Sequence, residues 1–229
     1  MLNSYNFLTS YFSDKIILLS EYAYNVVVNK YPFFSRKCSV NHLLLVNNGR
    51  INNKKYKYIS YIGHVNKGKG ISDFIGFVNF LAKNNLNLPG ESKLCLITSS
   101  DISCYLNELP SNWIEYLIII NKESISDQEI EDVIVNSLCV LVLHQSATQS
   151  GVLAQCSSFS TPVLVRDIPA FTQYIKKDSC VLSFQFSSKE LYDKSKQAYI
   201  DADSNVSMMS DLYGKYFSPI NFEKYYPDL

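Results

Sequence analysis

The sequence predicts a doubly wound α/β fold, a parallel sheet covered by helices on both sides. Three observations predict it. Apolar runs of strand length alternate with amphipathic or capped helical stretches along almost the whole chain. The run Cys139-Val140-Leu141-Val142-Leu143 is apolar on both faces, as a strand between two helical layers must be. Loops rich in glycine and hydroxyl groups follow predicted strands, at the sheet edge where such folds bind ligands.

Taken in order, Asp14–Ser20 reads as a short buried strand carrying Ile16, Ile17, Leu18 and Leu19. Glu21–Tyr31 reads as a helix ended by Pro32, because the residue before a proline is pushed out of the helical region. Asn41–Val46 reads as a strand closed by the turn Asn47-Asn48-Gly49. The polar stretch Arg50–Lys57 is the best linker candidate. A new unit opens with a strand at Tyr58–Ile62, the loop Gly63–Gly70 and a helix over Ile71–Asn84 that sets Phe74, Val78 and Leu81 on one face. Leu94–Thr98 is a strand, Ser103–Leu109 a short helix, and Trp113–Ile120 contains a strand. Ser126–Asn136 is a helix with Ser126 as N-cap and Glu129 completing a capping box. Leu138–Leu143 is the apolar strand, followed by a helix at Ser150–Phe159 and a strand at Pro162–Arg166. A short helix at Ala170–Ile175, a strand at Cys180–Phe184 and a helix at Lys189–Ala202 close the pattern. The expected divisions are residues 1–49, a linker at 50–57, the main domain at 58–212 and a tail at 213–229, without internal repeats.

Composition narrows the function classes. In 229 residues, 47% are hydrophobic and 18% charged, enough apolar material for a packed core and too few charges for disorder. Lys plus Arg and Asp plus Glu both number 21, so no global positive field draws the chain to nucleic acid, and no nucleic-acid partner is expected. The 17 Tyr and 13 Phe read as core and amphipathic surface. The six cysteines form no C-x-x-C pair and have no histidine cluster beside them, so neither a zinc site nor any other metal site is expected. Cys95, Cys139, Cys156 and Cys180 sit in apolar surroundings, which predicts reduced, buried thiols and a cytoplasmic setting. Met1-Leu2-Asn3-Ser4-Tyr5 lacks the basic start of a signal peptide, and no run of ~18 apolar residues predicts a membrane span. Peripheral membrane contact stays open, since surface aromatic and basic residues could supply it.

Three loops carry the candidate chemistry. The first is Gly63-His64-Val65-Asn66-Lys67-Gly68-Lys69-Gly70, leading into a helix. Its glycines allow close backbone approach, the helix start offers free N–H groups to an anion, and Lys67 and Lys69 add positive charge. It matches neither G-x-x-x-x-G-K-[ST] nor G-x-G-x-x-G. The second is His144-Gln145-Ser146-Ala147-Thr148-Gln149-Ser150-Gly151, in which Thr148 or Ser150 caps the next helix and the spare donors suit a diphosphate. His144 ends the apolar strand, as a ligand contact or a cap. The third, Ser160 to Phe171, reads as strand, turn and short helix. Among the remaining candidates, His42 reads as a satisfied structural histidine, and Asp127, Glu129, Glu131 and Asp132 as a solvated, dipole-complementing helix start.

Together the three loops resemble the C-terminal, nucleotide-sugar-binding domain of the GT-B glycosyltransferases, in the large group of type 1 enzymes. The family's first loop reads G-R-x-x-x-x-K-G, and Gly63, Lys69 and Gly70 stand at matching positions. Its later block reads S-G-x-x-x-x-E-A-x-A-x-G-x-P-V-I-x-x-D, and Gln149-Ser150-Gly151 through Pro162-Val163 and Arg166-Asp167 runs through it. The resemblance covers roughly Lys57 to Ala202. It implies a Rossmann-like donor domain at 58–212, with Asp14–Gly49 similar to the last strand–helix–strand of the acceptor-side domain, so that 1–49 is a remnant of that domain.

The resemblance also implies roles. Lys69 matches the lysine on the donor diphosphate, the catalytic charge partner. Thr148, Gln149, Ser150 and Gly151 match the loop that holds the phosphates, with His144 beside it, and Gln155 stands where a glutamate meets the ribose. His64 replaces the family's arginine and carries its charge only when protonated. Ala147 stands at or near a family glutamate, and Ser160 replaces a glycine. The implied activity is hexosyl transfer from a nucleoside-diphosphate sugar to a saccharide or lipid-linked acceptor, in polysaccharide or glycoconjugate synthesis. No cofactor is expected beyond the donor itself, and nothing resembles an Asp-x-Asp metal site. The alternative is a non-catalytic nucleotide-binding or partner-binding subunit of a split glycosyltransferase. Either reading expects a second copy or a complementary chain to supply the acceptor side.

Overall fold

A computed structural model of the chain describes residues 9–52, 54 and 56–221. The readings made at Met1–Tyr5, at Asn53 and Lys55 of the linker, and at 222–229 of the tail lie outside these residues.

Two strands come first. β1 (Ile16–Leu18) and β2 (Cys38–Val40), joined through helix α1 (Glu21–Lys30), pair in parallel as a separate two-stranded sheet. The main sheet holds β3 (Tyr58–Ile62), β4 (Lys93–Thr98), β5 (Leu117–Asn121), β6 (Ser137–Val142), β7 (Val163–Arg166) and β8 (Val181–Leu182). All are parallel, in the order β5-β4-β3-β6-β7-β8. The chain works outward from β3 through β4 to β5, then returns to the other side of β3 with β6. The two directions part between β3 and β6, and a crevice opens there at the carboxyl ends of the strands.

Helices cover both faces. α2 (Ile71–Asn84), the short α3 (Ser103–Leu106) and α7 (Ser188–Ile200) lie on one side. α4 (Asp127–Val135), α5 (Gly151–Ser158), the short α6 (Pro169–Thr172) and α8 (Ala202–Leu212) lie on the other. Strand residues alternate between the layers. Leu94, Leu96 and Leu141 pack under α2 and α7, whereas Cys95, Ile97, Val140 and Val142 pack under α4 and α5. Every residue of β6 is buried, which is why its sequence has no polar face.

Local chemistry explains the helix boundaries. Ser126 caps α4, and Glu129 returns the bond to complete the box. Ser150 caps α5 by accepting from the Leu153 N–H. At the other end of α5 the Thr161 N–H donates to Cys156 O at 2.8 Å and the Ser160 N–H to Ser157 O at 3.0 Å. This is a Schellman closure, and it holds Ser160 at φ 55°. The glycine that the family block carries there has a backbone reason.

Several expectations need correction. β1 is not buried: it spans three residues, pairs among the described residues with β2 alone, and leaves Ile17 46% exposed. No strand forms over Asn41–Val46. The ladder uses Cys38–Val40, while the Leu45 N–H donates to Phe217 O and Val46 is 83% exposed. The helix expected to run through Ala202 stops at Ile200. Asp201 breaks it, and α8, unforeseen from the sequence, begins at Ala202. The strand at Cys180–Phe184 shrinks to Val181–Leu182, since only two residues pair with β7. After α8, Tyr213–Phe217 makes one wider helical turn with Phe217 buried.

The stretch after Gly49 lies against the domain. The Asn52 N–H donates to Phe159 O at 2.8 Å, and its side-chain amide donates to Ser137 O and Thr161 Oγ1. Arg50 pairs with Glu131 and Asp132. All six cysteines are free, and Cys95, Cys139, Cys156 and Cys180 are buried. Burial pushes the Cys95 thiol up to about 12, so these thiols are inert. Among the described residues, no helix is long and apolar enough to cross a membrane, and no group of three or more His, Cys, Asp or Glu could hold a metal ion.

Candidate functional site

The crevice between β3 and β6 is a cleft of about 620 Å³, lined by the loops that follow these strands. The first wall comes from Asn66, Gly68 and Lys69, the second from His144 and Ser146 to Val152. The first loop is held by its own caps. Asn66 Oδ1 accepts from the Lys69 N–H at 3.0 Å, and the Tyr61 hydroxyl donates to Lys69 O at 3.0 Å. The loops are also tied to each other, since the Gln145 N–H donates to Gly68 O at 2.8 Å. Gly70, at φ 81°, packs its bare α-carbon against Leu143, the residue before His144.

A buried cation braces this junction from below. Arg166, 5% exposed at the end of β7, donates through Nε to Leu143 O at 3.1 Å and through Nη1 to Phe184 O. Its Nη2 pairs with Asp73 in the first turn of α2, and the Phe186 ring lies 4.6 Å from its guanidinium carbon. Asp73 is thereby neutralised beside a helix start that would otherwise be less receptive to anions.

The charge that the described lining residues bring to the cleft is positive. Among the described residues, the Lys69 ammonium has no carboxylate within ion-pair distance. The Gln149 side-chain nitrogen is buried without a hydrogen-bond partner. Gly151 opens α5, and a Cβ added there would meet nothing within 4 Å. The His144 ring packs at a tilt against Phe171, 5.6 Å between centroids, and burial, reinforced by the Lys69 charge, pushes its imidazole down to about 4. It is neutral at physiological pH, and it can hydrogen-bond a ligand without adding charge.

The cleft thus brings together Lys69, His144, Thr148, Gln149, Ser150 and Gly151. Gly63 and His64 face a second cleft, of about 310 Å³, whose floor is Ile62, Ile97, Ile125 and Ile130 and whose rim includes Thr98, Ser99, Glu123 and Ser124. There His64 Nδ1 lies 3.3 Å from Ser100 Oγ. Gly70 lies under the first loop rather than on the cleft. Gln155 lies half-buried one turn beyond Gly151 on α5 and is not among the lining residues. His42 is buried, with Nδ1 3.0 Å from the Tyr174 hydroxyl and its ring against Tyr216 and Phe217.

Sequence reasoning missed Asn66, Ser146, Arg166 and the reach of the N-terminal segment. Asn66 carried a usable signal, as an Asn three residues before the capped N–H. Arg166 carried none, because its partners come from three separate parts of the chain.

No protein-family model matches this sequence, and no curated protein matches it. Solved structures do match the fold. A mutant of S. aureus TarM, crystallised with fondaparinux, α-GlcNAc-glycerol and UDP, is similar over 96% of this chain and 43% of its own, with TM-score 0.70 and 12% identity. Anabaena HepE, crystallised with UDP and glucose, is similar over 95% of this chain and 63% of its own, with TM-score 0.72 and 11% identity. The pneumococcal O-GlcNAc transferase GtfA, with UDP and GlcNAc, is similar over 96% and 46%, with TM-score 0.67 and 16% identity. The fold is therefore that of the GT-B glycosyltransferases, and the chain spans between 43% and 63% of the length of these three.

Proposed function

We propose, from this shared fold, that the chain binds a nucleoside-diphosphate sugar and forms the donor-binding part of a glycosyltransferase. The observation that carries the reading is the pairing of an unpaired lysine, Lys69, with the open start of α5 across one cleft at the point where the strand order reverses. Such a site suits a diphosphate, which takes a cation on one side and backbone N–H groups on the other. The apolar floor of the adjoining cleft suits the flat face of a base, with His64 and Ser100 at its rim. Gln155 is then left to the ribose.

In transfer, the bond from the anomeric carbon to the diphosphate breaks and an acceptor oxygen takes its place. Negative charge grows on the leaving diphosphate. In this reading Lys69 and the donors of Thr148 to Gly151 meet that charge from the cleft walls, which is how a preorganised site lowers a barrier. The acceptor in this reading is a saccharide or a lipid-linked sugar, and the work belongs to polysaccharide or glycoconjugate synthesis in the cytoplasm.

The second reading is a nucleotide-binding subunit that another chain or a second copy completes. It is favoured by the two-stranded β1–β2 sheet, which stands apart from the main sheet. Exposed Phe12, Ile17 and Phe33 offer apolar surface for such a partner.

Calorimetric titration with UDP, GDP, ADP and CMP tests the common part. One nucleoside diphosphate is expected to bind selectively, and no binding across the panel would remove the donor site. A labelled-donor assay on the monodisperse protein, beside a size measurement, separates the two readings. Slow or absent transfer by the chain alone is expected, because a one-sided site holds two reactants poorly in register. Robust turnover by a monomer would rule out the second reading.

A further inference from the structure

The N-terminal segment reaches into the second loop through one fully buried side chain. Ser20, 0% exposed, accepts from the Ala23 N–H at 3.0 Å and so caps α1. The same hydroxyl donates to Thr148 O at 2.7 Å, across 128 residues of chain. The next turn of the contact is made by the Tyr22 N–H, which donates to Gln173 Oε1 at 3.1 Å. The start of α1 is therefore pinned both to the second loop and to the C-terminal end of α6.

The consequence lies in peptide geometry. A trans peptide is planar, and its C=O and N–H point in opposite directions. Holding Thr148 O toward Ser20 turns the N–H of Gln149 the other way. Thr148 and Gln149 line the cleft and Ser20 does not. Among the described residues, that N–H has no hydrogen-bond partner. We infer that Ser20 is a positioning residue for the donor site: by fixing the Thr148–Gln149 peptide it presents the Gln149 N–H to an anion in the cleft. Without it the peptide is free to flip and turn a carbonyl dipole, which repels phosphate, into the same place. The strand–helix–strand segment is then a working part of the site. This inference rests on the donor-site reading above.

The test compares UDP, GDP and ADP binding by calorimetry in the unmodified chain, Ser20→Ala and Val26→Gly, with thermal unfolding run on each. Val26 is exposed on α1, so its replacement loosens the helix without touching Thr148. Ser20→Ala is expected to bind the preferred nucleoside diphosphate about tenfold more weakly, the worth of one hydrogen bond at the upper end of its range, while Val26→Gly binds as the unmodified chain does. Unchanged affinity in Ser20→Ala, or an equal loss in both variants, would overturn the inference. Should Ser20→Ala fail to fold, Ser20→Gly takes its place, since glycine is tolerated at an N-cap and cannot donate to Thr148 O, and unchanged affinity there counts equally against it. If the unmodified chain binds none of the three, the donor-site reading has failed first and this inference falls with it.

Discussion

Gly70 sits so close to Leu143 that a Cβ built on it would lie 2.6 Å from the Leu143 Cβ and nearer still to the carbonyl oxygen. The same glycine holds φ at 81°. A side chain there meets two penalties, the left-handed backbone at ~1–2 kcal/mol and overpacking at ~1–3 kcal/mol. Gly70→Ala is expected to lose at least ~2 kcal/mol of stability in urea denaturation. A loss under ~0.5 kcal/mol would show that the two loops are not packed this tightly.

Lys69 has no ion-pair partner among the described residues, so removing it deprives the fold of little. Lys69→Ala is expected to leave the unfolding midpoint in place and to weaken nucleoside-diphosphate binding by roughly 1.5–3 kcal/mol, the range for a hydrogen bond to a charged group. Calorimetric titration reads the difference, and unchanged affinity would take Lys69 out of the site.

Gly151 offers the complementary case. Its Cβ direction is open, and no positive φ constrains it. Gly151→Val is therefore expected to fold with stability within ~1 kcal/mol of the parent, yet to lose nucleoside-diphosphate binding, because the branched side chain occupies the space in front of the α5 start. Binding at parental affinity by the folded variant would show that the phosphates do not approach there.

The pH dependence follows from His144. Its folded value, near 4, lies below the ordinary histidine value of 6.5, so the unfolded chain binds the proton more readily. Stability from this group is full above pH 6.5 and is lost as pH falls from 6.5 toward 4. His144→Gln is expected to flatten the stability curve in that window, measured as denaturation midpoints at pH 7 and pH 5. A parental slope in the variant would assign the dependence to another group.

Ser160 pays for its place in the Schellman closure with φ 55°. Ser160→Gly relieves the left-handed strain and is expected to stabilise the chain by ~1 kcal/mol. A lower denaturation midpoint would mean that the serine side chain does something the backbone geometry does not reveal.

Much of the main sheet could be read directly from periodicity. α2 occupies the residues its apolar face marks, and β6 declares itself by having no polar side. The failures are short elements whose pairing is settled by distant parts of the chain. Leu43 to Val46 has the composition of a strand, but Leu45 is claimed by Phe217, and the ladder falls to Cys38–Val40, which has no such composition. Asp201 carries no proline or glycine to announce the break between α7 and α8. In the site, glycines and helix starts were visible, whereas the separation of His64 from Lys69 into different clefts depends on how the first loop turns. Arg166 and Ser20 act through contacts that no local pattern records.

The clasp between Leu45 and the last described helical turn also bears on how the chain is made. The Leu45 N–H donates to Phe217 O, and the Tyr213 hydroxyl donates back to Leu45 O from 168 residues away. A ribosome adding ~5–20 residues per second needs on the order of ten to thirty seconds to cover that distance. Over that interval the anchors of α1 at Thr148 and Gln173 are made first, and the Leu45 clasp closes only when Tyr213 and Phe217 have followed. Contacts of such long sequence separation form late. The stretch around Leu45 thus waits longest for its partner, and the exposed Phe12 and Phe33 before it are side chains a nascent-chain chaperone would meet.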